Sequence, residues 1–224
     1  MTQEVNRICS LCGADEIEDF TTVSDRILYH RCRNCSYISR DEAHRLSADD
    51  EKKRYQLHNN SPDNPGYVEW INRFLDFIFK SPLPGGRRIL DFGSGPEPVM
   101  AGMMENLGYR VFTEDPFFSP EKPGGCFQLI TSLEVFEHLQ NPYETLVHLA
   151  SRLTENGRLC ISTEFIPDDM GRFEYWRYRS DETHIGLFTA DGLIKAGEKA
   201  GFEMEDCDGT RYISFRLAQR GRSC

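Results

Sequence analysis

Apolar positions divide the chain into two regimes. From Tyr67 the stretch YVEWINRFLDFIFK places Tyr67, Ile71, Phe74 and Ile78 at a spacing of three and four, one face of a helix, and SPLPGG stops it. Short runs of strand formers then alternate with helical patterns: strand RRILDF, helix VMAGMMENLG, strands YRVFTED and FQLITSL, helix YETLVHLASRLTENG, strand RLCIST, helix ADGLIKAGEKAG, and strands FEMEDC and RYISFRL. Strands separated by helices of about ten residues predict an α/β fold with a doubly wound, mostly parallel sheet. The last two strands have no long helix between them, so they predict an antiparallel hairpin at the sheet edge. Before Tyr67 the pattern differs. DFTTVSDRILYHR carries strand formers, and RDEAHRLSADDEKKRYQLHNNSPDNPG is polar, with Pro and Asn marking a boundary. The expected division is a small unit over 1–45, a linker or cap over 46–66, and the α/β domain over 67–224.

Four cysteines give the first unit its chemistry. They fall as Cys9-x2-Cys12 and Cys32-x2-Cys35 with nineteen residues between the pairs. Each pair forms a knuckle that aims two sulfurs at one tetrahedral ion, the spacing of a zinc ribbon. Four protein ligands leave no open position for substrate, so the expected role is structural. Binding would then be part of folding: a chelator should unfold this segment and leave the larger domain intact. The other four cysteines are scattered and have no ligand spacing.

Charge narrows the partners. The formal net charge is −10, and the ribbon has no Lys/Arg-rich stretch; both weigh against nucleic acid, whose binding relies on neutralising phosphates. No apolar run approaches the roughly 20 residues of a membrane span. The start, MTQEVNRICSLC, lacks the basic-then-apolar pattern of a signal peptide, which gives a cytoplasmic expectation. A protein partner recruited by the ribbon stays open.

The first predicted strand of the α/β domain runs into ILDFGSGPEP. In a doubly wound sheet ligands bind at the carboxyl ends of the strands, and the first turn uses glycines for close backbone approach. Gly93 and Gly95 supply that approach, with Ser94 between them. About 20 residues on, Glu114 and Asp115 end the second strand, where a carboxylate can grip ribose hydroxyls. The two point to opposite faces, so one serves, and Asp115 is the expected one. A dinucleotide would put its pyrophosphate beside Glu97, which would repel it, and Pro96 and Pro98 remove backbone donors there. A nucleoside with a sulfonium in place of phosphate meets no such penalty, which points to S-adenosylmethionine.

On these residues the chain resembles the class I S-adenosylmethionine-dependent methyltransferases over roughly residues 67–224. ILDFGSGPEP is similar to their first motif and TEDPFF to the acidic end of their second strand. FQLITSLEVFEHLQNPYETLVHLASRLTENGRLCIST is similar to their fourth strand through fifth strand, and HIGLFTADGLIKAGEKAGF to a downstream pattern. The nearest likeness is to ubiquinone-biosynthesis-type O-methyltransferases and a zinc-ribbon-bearing bacterial subgroup. Glu97 stands at the third motif glycine, and Gln128 where an aspartate often precedes the fourth strand. The resemblance implies that Asp91, Gly93, Ser94 and Gly95 shape the cofactor turn, with Asp115 and Glu134 also on the cofactor. Glu134, Glu137 and His138 of LEVFEHL, completed by His184 of THIGLF, resemble a carboxylate and imidazole set that binds a divalent ion, magnesium or manganese. His138, Glu137 and His184 are then the catalytic residues, either through that ion or with His138 as a direct base. Phe117 either covers adenine or belongs to the core; Trp176, Tyr178 and Tyr175 either line the acceptor pocket or pack; His58 lies in the cap. The expected activity is O-methylation of a small hydroxylated acceptor. A cofactor-binding recruitment module without turnover and an RNA methyltransferase are the alternatives.

Overall fold

The computed structural model describes residues 7–57, 60–83 and 85–218; His58 lies outside them. Among the described residues, ten strands form two sheets. The larger contains β4 (Arg88–Phe92), β5 (Arg110–Glu114), β6 (Phe127–Leu133), β7 (Leu153–Ser162), β9 (Phe202–Cys207) and β10 (Tyr212–Leu217), in the order β5-β4-β6-β7-β10-β9. β4 pairs in parallel with β5 and β6, and β6 with β7, while β10 runs antiparallel to both β7 and β9. The closing hairpin is present, with its second strand inserted against β7 and its first left at the edge.

Alternation along the central strands assigns the two faces. Ile89, Leu129 and Cys160 pack with Ile71, Phe74, Leu75 and Ile78 of α2 (Pro65–Phe79) and Met100 and Met104 of α3 (Val99–Asn106). Leu90, Ile130, Leu159 and Ile161 meet Leu146 and Leu149 of α4 (Pro142–Ser151) and Leu193 and Ala196 of α6 (Ala190–Ala200) on the other face. Helix α2 starts two residues before the apolar pattern does. The Asn64 side chain accepts the amides of Gly66 and Tyr67, and Pro65 occupies the first turn, where its missing N–H costs nothing. The helix expected to continue through LASRLTENG ends instead at Ser151. Leu153, 1% exposed, already pairs with Phe127 in β7, and Asn156 takes a left-handed φ of 59° where β7 shifts register against β6.

The segment expected as a linker holds a helix, α1 (Ala48–Gln56), capped by Ser47 and burying no residue. In the first unit β1 (Ile17–Thr21), β2 (Leu28–Cys32) and β3 (Ile38–Arg40) form an antiparallel sheet. The fourth strand of that sheet comes from the far end of the chain: β8 (Gly186–Leu187) pairs with β3, Ile38 opposite Leu187 and Ser39 opposite Gly186. Short helix α5 (Met170–Phe173) and Tyr29, Ile38 and Leu187 close a third apolar cluster. Cys9, Leu11, Cys32, Cys35 and Tyr37 belong to the same buried cluster as Phe188, Leu193 and Ala196. The ribbon and the α/β domain therefore share a core.

Candidate functional site

The four ribbon sulfurs lie within 4.8 Å of one another, with Cys9 Sγ 3.6 Å from Cys35 Sγ and Cys12 Sγ 3.5 Å from Cys32 Sγ. Tetrahedral thiolates about 2.3 Å from zinc stand roughly 3.8 Å apart, so the donor set fits the ion. The contact with Cys35 holds the Cys9 thiol down at about 5, and the same contact, then burial, pushes Cys35 up. Burial raises Cys32 as well. A buried quartet of this kind tolerates several negative charges only around a cation.

At the carboxyl end of β4, Gly93 has φ 79° and Gly95 φ 69°. A Cβ on Gly93 would stand 2.2 Å from Val135 Cγ2, whereas one on Gly95 would meet nothing within 4 Å, so open space lies over this turn. Ser94 sits between them, half-buried, and Glu97 is exposed. Of the two carboxylates ending β5, Asp115 faces the turn: its Oδ2 accepts the Gly95 amide at 3.0 Å, and its Oδ1 accepts the amides of Phe117 and Phe118. Glu114 is paired with Arg152 at 3.0 Å.

Asp91 is buried and accepts the Thr131 hydroxyl at 3.1 Å. Burial, with Asp115 nearby, pushes its carboxyl up to about 7. A carboxyl raised when folded keeps its proton longer than in the unfolded chain. Stability therefore falls as pH rises from about 4 to about 7 and is level above that. Asp91→Asn keeps the acceptor for Thr131 and removes the charge. Its stability relative to the parent should rise across that window, reaching at least about 1.4 kcal/mol at pH 8, one pKa unit's worth. Urea melts of both proteins at pH 4.5 and 8 check this; a pH-independent difference would refute it.

Beyond β6 the chain places Glu137, His138 and His184 together, with ligand atoms of all three within 4.8 Å of one another. His138 donates Nδ1–H to the Thr183 carbonyl at 2.9 Å, and His184 donates Nδ1–H to the Tyr178 carbonyl at 2.6 Å. Each imidazole thereby keeps its Nε2 lone pair free, and these nitrogens stand 3.7 Å and 4.0 Å from Glu137 Oε1. Burial lowers both imidazoles, His184 to about 3 with His138 adding to the effect. Glu137 is wholly buried, and neither of its oxygens meets a donor in hydrogen-bond geometry. Burial raises its carboxyl to about 7, against the pull of the nearby Tyr178 and Thr163 hydroxyls. An unsatisfied buried carboxylate facing two neutral imidazoles is costly unless a cation joins them.

Glu134 departs from the expected set of four. It takes a left-handed φ of 53°, and its Oε1 accepts the Ser162 hydroxyl at 2.7 Å and Arg211 Nη1 at 3.0 Å. Arg211 also pairs with Glu164. Glu134 thus stands beside the cluster with its carboxylate engaged elsewhere. The Tyr178 ring packs tilted against His184 with centroids 4.2 Å apart, and Trp176 against Tyr178 at 5.3 Å, whereas Tyr175 is 82% exposed. Tyr55 of α1 joins the two halves of the site, its ring 5.8 Å from Phe117 and 5.3 Å from His138. Nothing in the polar pattern around Tyr55 signals this, nor does any motif mark Arg211.

A family model described as a methyltransferase domain matches residues 30–206, from within β2 to within β9. No curated protein matches the chain. Among solved structures, an O-methyltransferase family protein from Burkholderia thailandensis superposes with a TM-score of 0.55 at 13% identity, over 77% of this chain and 64% of that one. Mitomycin 7-O-methyltransferase MmcR gives 0.51 at 13% identity, over 68% and 55%. A chain from the Haloferax volcanii complex of the Trm112 methyltransferase activator gives 0.54 at 11% identity, over 78% of this chain and 100% of that one. At such identities these likenesses show a common fold. No helix among the described residues is long and apolar enough to cross a membrane. With its Gly-x-Gly turn, acidic second strand and matching family model, the chain belongs to the methyltransferase domain family.

Proposed function

We propose that the chain methylates an oxygen of a small hydroxylated acceptor, using S-adenosylmethionine, and that Glu137, His138 and His184 hold a divalent ion beside the reacting centre. The observation that carries this reading is the buried carboxylate of Glu137, unsatisfied and faced by two imidazole Nε2 atoms whose Nδ1–H groups are already committed. One carboxylate with two imidazoles suits a borderline divalent ion, manganese better than magnesium. Such an ion, when bound, acts as a Lewis acid that lowers the acceptor hydroxyl's pKa. The cysteine quartet is assigned structural zinc.

The remaining work belongs to the chain. Gly93, Ser94 and Gly95 let the cofactor approach the backbone, Asp91 steadies the turn through Thr131, and Asp115 takes the ribose hydroxyls. Glu134, fixed by Ser162 and Arg211, is assigned to the cofactor side of the boundary. Tyr55 and Phe117 cover the site and exclude water. Methyl transfer breaks the sulfur–methyl bond and forms the oxygen–methyl bond in one displacement, leaving S-adenosylhomocysteine. Placement and deprotonation of the acceptor are therefore the main contributions left to the protein.

Methyl-labelled S-adenosylmethionine incubated with a pool of hydroxylated metabolites should yield labelled methyl ethers or esters, with incorporation lost in EDTA and restored by manganese. Calorimetry with S-adenosylhomocysteine should show Asp115→Ala weakened at least about tenfold, some 1.4 kcal/mol. Label appearing only on amines, or unaltered by EDTA, would overturn the O-methylation or ion reading respectively. Unchanged affinity in Asp115→Ala would remove the ribose assignment.

A further inference from the structure

The loop from Tyr178 to Ile185 carries no regular structure along most of its length, yet much of it is buried. Buried carbonyls need partners, and here they are divided among three side chains and two amides, the second being the His184 amide on the Asp181 carbonyl. The Tyr178 carbonyl accepts from His184, and the Thr183 carbonyl accepts from His138. The Arg179 and Asp181 carbonyls both accept from Nη2 of Arg40, at 2.6 Å and 2.9 Å. The Ile185 carbonyl accepts the Arg40 backbone N–H at 2.9 Å. Arg40 ends β3 of the ribbon, is 1% exposed, and has no carboxylate within salt-bridge distance among the described residues. A buried guanidinium without a counter-ion is expensive, and this one, which lies over the Tyr29 ring at 6.0 Å to the centroid, is met by two carbonyls of this loop.

We infer that Arg40 is a positioning residue for the methyltransferase site: a ribbon side chain that fixes the loop from which both catalytic imidazoles are oriented. This rests on the proposed role of Glu137, His138 and His184. Removing the guanidinium leaves the Arg179 carbonyl without a donor and the Asp181 carbonyl with the His184 amide at 3.2 Å, and the loop can replace the lost bonds only by moving. Movement displaces the Tyr178 and Thr183 carbonyls, the hydrogen-bond acceptors that set the ring orientation of His184 and His138. The Asp115 turn is built from β4 and β5, and no hydrogen bond, ion pair or ring contact among the described residues joins it to this loop, so cofactor binding should be spared. The ribbon is thereby part of the acceptor side of the site, and its closeness explains why β3 is completed by β8 immediately after His184.

Arg40→Met fills similar volume without donors, and Arg40→Lys keeps donors that can reach carbonyls without the planar fork. In the full chain, Arg40→Met should bind manganese at least about tenfold more weakly than the parent, the usual cost of losing a group that orients ligands. S-adenosylhomocysteine affinity should stay within about twofold, and Arg40→Lys should recover part of the metal affinity. Imidazole nitrogen resonances give a readout that needs no metal: those of His138 and His184 should shift together in both variants, while those of His148, on α4, stay in place. Parent-like manganese affinity and parent-like His184 signals in either folded variant would overturn the inference. An equal loss of cofactor and manganese binding would overturn it too, since that is what general destabilisation gives. If the parent itself takes no manganese, the ion reading fails, and the imidazole signals still decide whether Arg40 sets the rings.

Discussion

His138→Ala and His184→Ala should each lower methyl transfer by at least about a hundredfold while leaving S-adenosylhomocysteine affinity within about twofold. The split follows from where the groups sit. Gly93, Gly95 and Asp115 form one constellation at the ends of β4 and β5, tied by the bond from Gly95 to Asp115. The imidazoles form another beyond β6, anchored on the Thr183 and Tyr178 carbonyls. Loss of either ring leaves Glu137 with one nitrogen ligand and an uncompensated buried carboxylate, so divalent-ion affinity should collapse along with turnover. Glu137→Gln tests the same point from the other side: an amide is neutral and content in the site, so the protein should stay folded, bind cofactor and lose the ion. Manganese titration followed by electron paramagnetic resonance, with turnover measured on the same samples, gives both quantities. Turnover that resists EDTA in the parent but falls in His138→Ala would transfer the role to His138 as a direct base. Full activity in His138→Ala would defeat both versions and leave proximity as the whole of catalysis.

The central strands of the larger sheet were legible because they carry their own apolar runs, and burial in the sheet follows those runs: Ile89 and Leu90 in β4, Leu129 and Ile130 in β6, Leu159 and Ile161 in β7. What the sequence hides is structure that depends on a distant partner. β8 is two residues, Gly186 and Leu187, with no pattern of its own; it is a strand because the edge of β3 lies beside it. α1 buries no residue, so no apolar period announces it, and caps with local pairs such as Tyr55 to Glu51 hold it together. The site divides the same way. Spacing brings Glu137 and His138 together, and family likeness adds His184. Glu134 leaves the set because its left-handed backbone turns the carboxylate toward Arg211, which lies 77 residues further along the chain. Likewise Arg40 reads as an ordinary strand-end arginine until the loop 139 residues away closes over it.

Removing the zinc proposed for the cysteine quartet should disturb more than the N-terminal unit. The cysteine spacing alone predicts a module that a chelator unfolds by itself. The structure gives that module no boundary: Cys9, Cys32 and Cys35 pack in one cluster with Phe188, Leu193 and Ala196. The Cys35 carbonyl accepts the Thr189 hydroxyl that caps α6, and it lies so close that a Cβ on Gly192 would stand 2.4 Å away. Lys199, in the last turn of α6, donates to the Cys12 carbonyl at 2.9 Å. Structural zinc contributes roughly 10–16 kcal/mol in isolated cysteine-rich peptides, as large as the whole stability of a typical domain at about 5–15 kcal/mol. Its loss therefore has ample free energy to peel β3 from β8 and expose the start of α6. Hydrogen exchange after chelation should show protection lost across β2 and β3, at Gly186 and Leu187, and in the first turn of α6, with methyl transfer lost in the same step. β4 and β6, central in the larger sheet and covered on one face by α2 and α3, which share no cluster with the cysteines, should keep their protection, and S-adenosylhomocysteine should still bind. Loss confined to the residues before α1, with β8, α6 and turnover intact, would restore the independent module. Protein purified without zinc and with four freely titratable ribbon thiols would remove the ion from the account altogether.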